Sequence, residues 1–109
     1  MTGDDVRELV EREIAGDWSL RNAHGCDLRR CLVPPELREY DDLGGGHPLV
    51  EPPPVIHLWL VLEENPEVCS GYKIVYGEQV ELFGLATASG SRDVFLGYYG
   101  SFLDTYRGM

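Results

Sequence analysis

The sequence predicts an α+β protein in which an N-terminal helix and short helical pieces pack on one mainly antiparallel sheet of about four strands, with a short C-terminal helix. Three observations favour this class. Apolar residues at helical spacing open the chain, alternating apolar residues dominate its second half, and a segment rich in glycine and proline separates the two. The 109 residues are expected to form a single domain, 1–109, which is long enough to bury one core.

The first element is predicted to be a helix from Asp4 to Ala15. Its apolar residues recur at the spacing of one helix face, and Gly16 follows its end: Val6, Leu9, Val10 and Ile14. Asp17 and Asp27 are of a residue type that commonly caps the start of a helix, so each predicts a short helical turn directly after it in the chain. The second of these turns ends before Pro34, since proline cannot continue a helix.

Residues 34–54 are predicted to be mainly loop, with a brief edge strand from Leu37 to Asp41. The part that is richest in glycine and proline is 41–54. Its three consecutive glycines are not followed by the lysine and hydroxyl residue of a phosphate-binding loop. A surface loop is therefore the expected role of this segment.

Four strands are predicted after this loop, because short apolar and aromatic runs alternate with turn residues: Val55 to Glu63, Gly71 to Tyr76, Gln79 to Ala86 and Asp93 to Tyr99. Gly77-Glu78 fits a two-residue type II′ turn, which would place Tyr76 opposite Gln79, Ile74 opposite Glu81 and Tyr72 opposite Phe83. Ser101 is expected to cap a last helical turn from Phe102 to Arg107.

The predicted helices can cover only one face of a four-stranded sheet. Alternation puts the aliphatic residues of the first long strand on one side, namely Ile56, Leu58, Leu60 and Leu62. The opposite side is expected to be an open aromatic surface that binds a partner through His57, Trp59, Tyr72, Tyr76, Glu81 and Phe83. The alternative is that the loop and the C-terminal turn bury these rings as a second small core.

The charge distribution restricts the partners of the chain. The formal net charge is −10, and residues 41–91 hold eight carboxylates against the single base Lys73. Such a surface repels phosphate, so nucleic acid is not an expected partner, whereas a basic protein would be attracted. An acidic balance that serves solubility alone remains the simpler interpretation.

A cytoplasmic location is expected, without membrane association. The longest apolar run, Val55 to Leu62, is less than half of the roughly 20 residues that a membrane-spanning helix needs. The chain has three cysteines, an odd number that does not suggest a disulfide framework, and its start does not resemble a secretion signal.

Enzymatic chemistry is not predicted by any motif. His24, Cys26, Cys31 and Cys69 could in principle hold zinc or form a cysteine–histidine pair, but the Cys-x-x-Cys spacing of a zinc knuckle is missing. No cofactor or metal is therefore expected. His57 would need a nucleophile and an orienting partner to act as a base, and a strand histidine with one hydrogen bond is the more common case.

The resulting hypothesis is an acidic, non-enzymatic protein-interaction module. By analogy at the level of the fold, bacterial immunity proteins that neutralise basic nucleases illustrate such a role, with Glu63, Glu64, Glu78 and Glu81 as steering charges. In this reading Trp59→Ala weakens binding without unfolding the domain. The alternatives are a homodimer through the same face, and a small-molecule or catalytic pocket around His57 and Glu81 in a sheet curved at Gly84 and Gly97.

Overall fold

The structure, a computed structural model, describes residues 1–42, 54–67, 70–89 and 92–109. Its elements follow the chain in the order α1 Gly3–Ile14, α2 Leu28–Cys31, β1 Leu32–Asp42, β2 Val55–Asn65, β3 Ser70–Gly77, β4 Leu82–Ser89, β5 Arg92–Gly100 and α3 Phe102–Gly108. The predicted α+β class is confirmed, with five strands instead of about four. Most of the predicted glycine and proline loop, together with Cys69, lies outside the described residues.

The five strands close into a barrel in the order β1-β2-β3-β4-β5. Sequential neighbours are antiparallel, and a short parallel pairing of β1 with β5 completes the ring at Asp41↔Val94 and Asp42↔Phe95. Arg92 reinforces this closure, since its Nε and Nη2 atoms donate to the Asp41 carboxylate at 2.7 and 2.6 Å. The sheet therefore has an inside and an outside, and not two open faces.

β1 is much longer than the predicted edge strand. It runs for 11 residues and includes Pro34 and Pro35, which the sequence had assigned to loop. Along most of its length β1 pairs with β2 alone, so the prolines occupy an edge where no further ladder hydrogen bond is required. Proline at this edge also opposes pairing with a second sheet.

Two hydrophobic cores fill the protein. The inner core lies inside the barrel and consists of Tyr40, Leu58, Leu60, Val75, Ala86 and Phe95. The outer core lies between the barrel wall and the helices; its members include Val6, Val10 and Ile14 of α1, Phe102 and Tyr106 of α3, and Leu62, Ile74, Tyr76, Phe83 and Leu85 of the strands. The barrel interior is filled by its own strands, so all helices are available for the outside.

The predicted register of the β3–β4 hairpin is wrong. Tyr76 pairs with Phe83 and Gly77 with Leu82, so four residues, 78–81, form the turn in place of two. The turn is closed by the Glu81 amide, which donates to the Gly77 carbonyl at 2.8 Å. The partner of Tyr76 has moved from residue 79 to residue 83, an even shift that leaves each side chain on its predicted face.

A β-bulge in β2 reverses the predicted orientation of the end of this strand. Leu60 pairs with Val75 and Leu62 with Ile74, so β2 has one residue more than β3 between these pairs. Leu62 was expected beside Leu60, but it turns outward into the core under the helices. Glu63 instead lies opposite Lys73, and both side chains are buried.

Two of the predicted helix caps, Asp27 and Ser101, are confirmed, whereas the cap of α1 was not predicted. Thr2 and Asp5 form a capping box at the start of α1, Asp27 caps α2 and Ser101 caps α3. The turn predicted after Asp17 forms no helix. Among the described residues, the longest helix, α1, has 12 residues, and none of the helices could cross a membrane.

Candidate functional site

The aromatic residues singled out in the sequence do share one side of the barrel. Trp59 pairs with Tyr76, and Tyr76 pairs with Phe83, so the three rings form a row on the outer face of neighbouring strands. His57 lies two residues before Trp59 on the same face. The expected common face is therefore present, but most of the row is covered.

Tyr76 and Phe83 are core residues, so the expectation that they form an open surface is wrong. Each is only 3% exposed, and their ring centroids lie 4.7 Å apart. The Phe102 ring of α3 meets the Phe83 ring edge-on at 5.7 Å. The prediction assumed a flat sheet with two faces to cover, whereas in a barrel the helices need to cover only the outside.

Trp59 lies at the margin of the covered region. A Cβ atom on Gly3 would lie 3.8 Å from the indole Cζ3 atom and 2.9 Å from the Pro35 carbonyl oxygen, so the start of α1 rests on this ring. The indole Nε1 is buried and has no hydrogen-bond partner among the residues that the structure describes. Trp59 therefore contributes to packing more than to the accessible surface.

Beyond Trp59 the outer sides of β1 and β2 are uncovered. We call Leu37, Glu39, Val55 and His57 the open face. Register pairs Glu39 with His57 and places Leu37 opposite Trp59. Leu37 is 51% exposed and Val55 is 49% exposed, which is unusual for two aliphatic side chains on adjoining strands. Neither was among the binding residues predicted from the sequence.

A groove of about 370 Å³ adjoins the open face at one mouth of the barrel. We call it the mouth groove; it is lined by Leu37 of β1, residues 55–58 of β2, Gly77 at the end of β3, residues 78–80 of the β3–β4 turn and Tyr98 of β5. The absence of a side chain on Gly77 makes room for Tyr98, since a Cβ atom there would lie 2.8 Å from the tyrosine hydroxyl. Val80, half-exposed at the tip of the turn, extends the apolar surface.

Three carboxylates lie in or beside the mouth groove: Glu78 lines it, Glu81 follows its lining residues on the turn, and Glu39 is the register partner of the lining residue His57. Glu39 lies on the open face, and Glu78 and Glu81 lie on the turn, all three exposed. Burial raises the pKa of Tyr76, and the nearby carboxylates of Glu81 and Glu78 raise it further, which reflects the negative potential at this end of the barrel.

Two of these carboxylates have a nitrogen partner at their exposed surface. His57 Nε2 lies 3.3 Å from Glu39 Oε1, and the N-terminal amine lies 3.3 Å from Glu78 Oε1. Exposed pairs of this kind contribute little to stability, so both carboxylates can exchange their partner for another cation at small cost. The His57 side chain is 59% exposed, and the described residues that line the mouth groove include no serine, threonine, cysteine or lysine that it could activate.

Glu81 adopts a left-handed backbone conformation with φ of 56°. This region is costly for a residue other than glycine or asparagine. The sequence contains no signal for this strain, because the predicted two-residue turn ended before Glu81. Glu81 is exposed, so the strain is not explained by burial of its side chain.

Tyr72 lies apart from the other predicted binding residues. It is near the opposite end of β3, where its ring centroid is 5.6 Å from that of His24. His24 Nδ1 lies 2.6 Å from Glu64 Oε2, and Glu64 Oε1 accepts the Tyr72 amide hydrogen at 3.1 Å. Partial burial raises the pKa of Glu64, but these two hydrogen bonds outweigh it and leave the pKa lowered.

A second groove of about 200 Å³ lies between α1, Trp18 and the start of β1. Two arginines line it, Arg7 and Arg29, and the Arg29 guanidinium lies 6.0 Å from the centre of the Trp18 ring. Glu11 is its one acidic lining residue. This balance of charge suits a basic partner less well than the mouth groove does.

Metal ligands do not converge in the part of the chain that the structure describes. His24 is paired with Glu64, while Cys26 and Cys31 contact each other, and none of these residues belongs to a group of three or more potential ligands. Comparison with known proteins gives no match: no protein-family model matches the chain, and no curated protein or solved structure matches it either. Function must therefore be inferred from the surface of this chain itself.

Proposed function

We propose that this chain is an acidic, non-enzymatic protein-binding module of the immunity or regulatory type. Its partner is a basic protein that docks on the open face and inserts a side chain into the mouth groove. Of the binding residues that the sequence predicted, the proposed site keeps His57 and Glu81. Leu37, Val55 and Val80 take the place of the buried rings as its apolar residues.

One observation carries this proposal: half-exposed Leu37 and Val55 line a groove together with the exposed Glu78, and the exposed Glu39 and Glu81 lie next to lining residues. Apolar side chains that a partner can remove from water supply favourable free energy of binding. A surrounding rim of charge contributes selectivity and association rate.

The charge of the chain argues for a basic partner. The net charge of −10 attracts cationic surfaces over long distances, and Glu39, Glu78 and Glu81 repeat that sign at the groove. Because exposed charges are screened by salt, binding should weaken as ionic strength rises.

The test compares capture by three versions of the chain. Immobilised wild type, Leu37→Asp and Leu96→Asp are exposed to an extract of the native cell, and each protein that is captured is purified and titrated by calorimetry. Leu96 is the matched control, because it is also an exposed strand leucine, 42% accessible, but lies on β5. A purified basic protein should bind wild type and the Leu96 variant alike and lose at least about tenfold in affinity for the Leu37 variant. Equal binding to all three versions contradicts the proposal.

A small-molecule site is the second candidate. The volume of the mouth groove, about 370 Å³, falls within the range of ligand pockets. In that case a small compound would shift the nuclear magnetic resonances of His57 and Tyr98 and would bind with little dependence on salt.

The open face could also join two copies of this chain. Light scattering after size-exclusion chromatography distinguishes this case, since a dimer that Leu37→Asp dissociates would assign the open face to self-association.

A further inference from the structure

Cys26 and Cys31 lie in direct contact in the outer core. Their Sγ atoms are 3.3 Å apart, and the residues are 3% and 0% exposed. Cys26 precedes the cap residue Asp27, and Cys31 is the last residue of α2. The single turn of α2 thus folds the chain back until two thiols five positions apart meet.

We propose that Cys26 and Cys31 are a modification site that forms an intramolecular disulfide, with a small-molecule disulfide such as oxidised glutathione as the oxidant. One cysteine, as the thiolate, attacks a sulfur of the oxidant, forms a mixed disulfide and releases one molecule of glutathione. The second thiolate then attacks the cysteine sulfur of that mixed disulfide and releases the other. Two protein thiols are oxidised, and one disulfide is reduced to two thiols.

The geometry favours closure of the bond over a stable mixed disulfide. An S–S bond is about 2.05 Å long, so the two sulfur atoms, now 3.3 Å apart, need to approach by about 1.3 Å. A glutathione molecule attached to either sulfur would occupy space that the core fills.

Burial makes the reaction slow in the closed protein. Burial and the adjacent Cys31 thiol raise the pKa of Cys26 to about 12, so little of it is thiolate at neutral pH. The segment before α2, residues 16–27, which includes Cys26, contains no helix or strand. It is held partly by Tyr106, whose hydroxyl lies 2.9 Å from the Leu20 carbonyl oxygen and 2.6 Å from that of Cys26. Opening of this segment gives the oxidant access, and reclosing brings the sulfurs together.

The experiment uses the Cys69→Ser variant of the full chain, because Cys69 lies outside the described residues and could exchange with the pair. The variant is equilibrated in mixtures of reduced and oxidised glutathione and quenched with acid. Its free thiols are then alkylated, and its mass is determined by mass spectrometry. We expect loss of two hydrogens, no alkylation of Cys26 or Cys31, and a peptide pair linked through them. If the substitution disturbs folding, the linked peptides are mapped in the unsubstituted chain.

Repeating the equilibration in urea tests whether the fold positions the thiols. The effective concentration of one thiol relative to the other should be at least about tenfold higher in the folded chain than in urea. The melting temperature of the oxidised form should also lie on the order of 5–10 °C above that of the reduced form. The Cys31→Ser, Cys69→Ser variant is the control and should give only a glutathione adduct or free thiol. Glutathione adducts in place of the disulfide, free thiols throughout, or an equal effective concentration in urea would each overturn the proposal.

Discussion

Glu63 and Lys73 form an ion pair that is almost completely removed from water, with Oε1 and Nζ 3.1 Å apart and side-chain exposures of 6% and 1%. The two residues are register partners on β2 and β3. Glu63 faces Lys73 only because the bulge between Leu60 and Leu62 reverses the alternation of β2. The ion pair therefore depends on the bulge.

Lys73→Met should destabilise the fold strongly, because it leaves the Glu63 carboxylate buried without its cation. The expected cost is about 3–5 kcal/mol in the free energy of unfolding. The double variant Glu63→Gln, Lys73→Met should recover most of this loss, since neither charge then remains. Urea denaturation of the two variants measures both quantities, and a double variant no more stable than Lys73→Met would refute the interpretation.

Trp59 and Leu37 should respond differently to truncation, although they are register partners. Trp59→Ala removes a ring on which α1 rests and is expected to cost about 2 kcal/mol or more. Leu37→Ala removes a half-exposed side chain and should change stability by less than about 0.5 kcal/mol. Thermal melts of both variants provide the comparison. A Trp59→Ala protein as stable as wild type would contradict the packing role of Trp59 and would instead favour a role in the accessible binding surface.

Glu81→Gly should stabilise the protein, because glycine adopts the left-handed conformation of this position without steric cost. We expect a gain of about 0.5–1 kcal/mol in the free energy of unfolding. Glu78→Gly, in the same turn, has no positive φ to relieve and serves as the control. If Glu81 is kept for partner binding, the stabilised variant should also bind a basic partner more weakly. A loss of stability would show that the turn depends on the glutamate side chain.

Acid should remove the stabilisation that Glu64 provides. Its pKa in the folded chain lies below the ordinary value of 4.5, so this carboxyl stabilises the fold above pH 4.5 and loses that effect as the pH falls through the folded-state pKa. The difference in stability between wild type and Glu64→Gln should therefore shrink as the pH is lowered from about 7 to below about 4. Glu8→Gln, at an exposed glutamate of α1, is the control. A difference that stays constant with pH would contradict the role of Glu64.

Local signals in the sequence were sufficient for the helices and most strands. Asp27 and Ser101 were recognised as caps, because capping depends only on the residues next to the helix end. The β2 to β5 strands followed from alternation. β1 was underestimated because Pro34 and Pro35 normally signal a loop, and only the edge position of the strand makes them acceptable.

The candidate surface was harder to predict, because it depends on barrel closure. The pairing of Asp41 and Asp42 with β5 joins distant parts of the chain, and no local pattern indicates it. Without knowledge of this pairing, the sequence pattern predicts an open face for Tyr76 and Phe83. Alternation correctly placed both rings on the same face of the sheet. Their burial depends on α3, and the position of this helix is set by tertiary packing, which local sequence patterns do not indicate.

Hydrogen–deuterium exchange of the purified complex tests the proposed binding surface most directly. Once a basic partner is in hand, amide exchange is compared between the free and the bound chain. We predict that binding slows exchange at residues 36–40, 54–58 and 77–82 and leaves residues 92–96 of β5, outside the mouth groove, unchanged. Protection confined to α1, Trp18 and Arg29, or to the surface around His24 and Tyr72, would contradict the assignment of the open face and the mouth groove as the docking site.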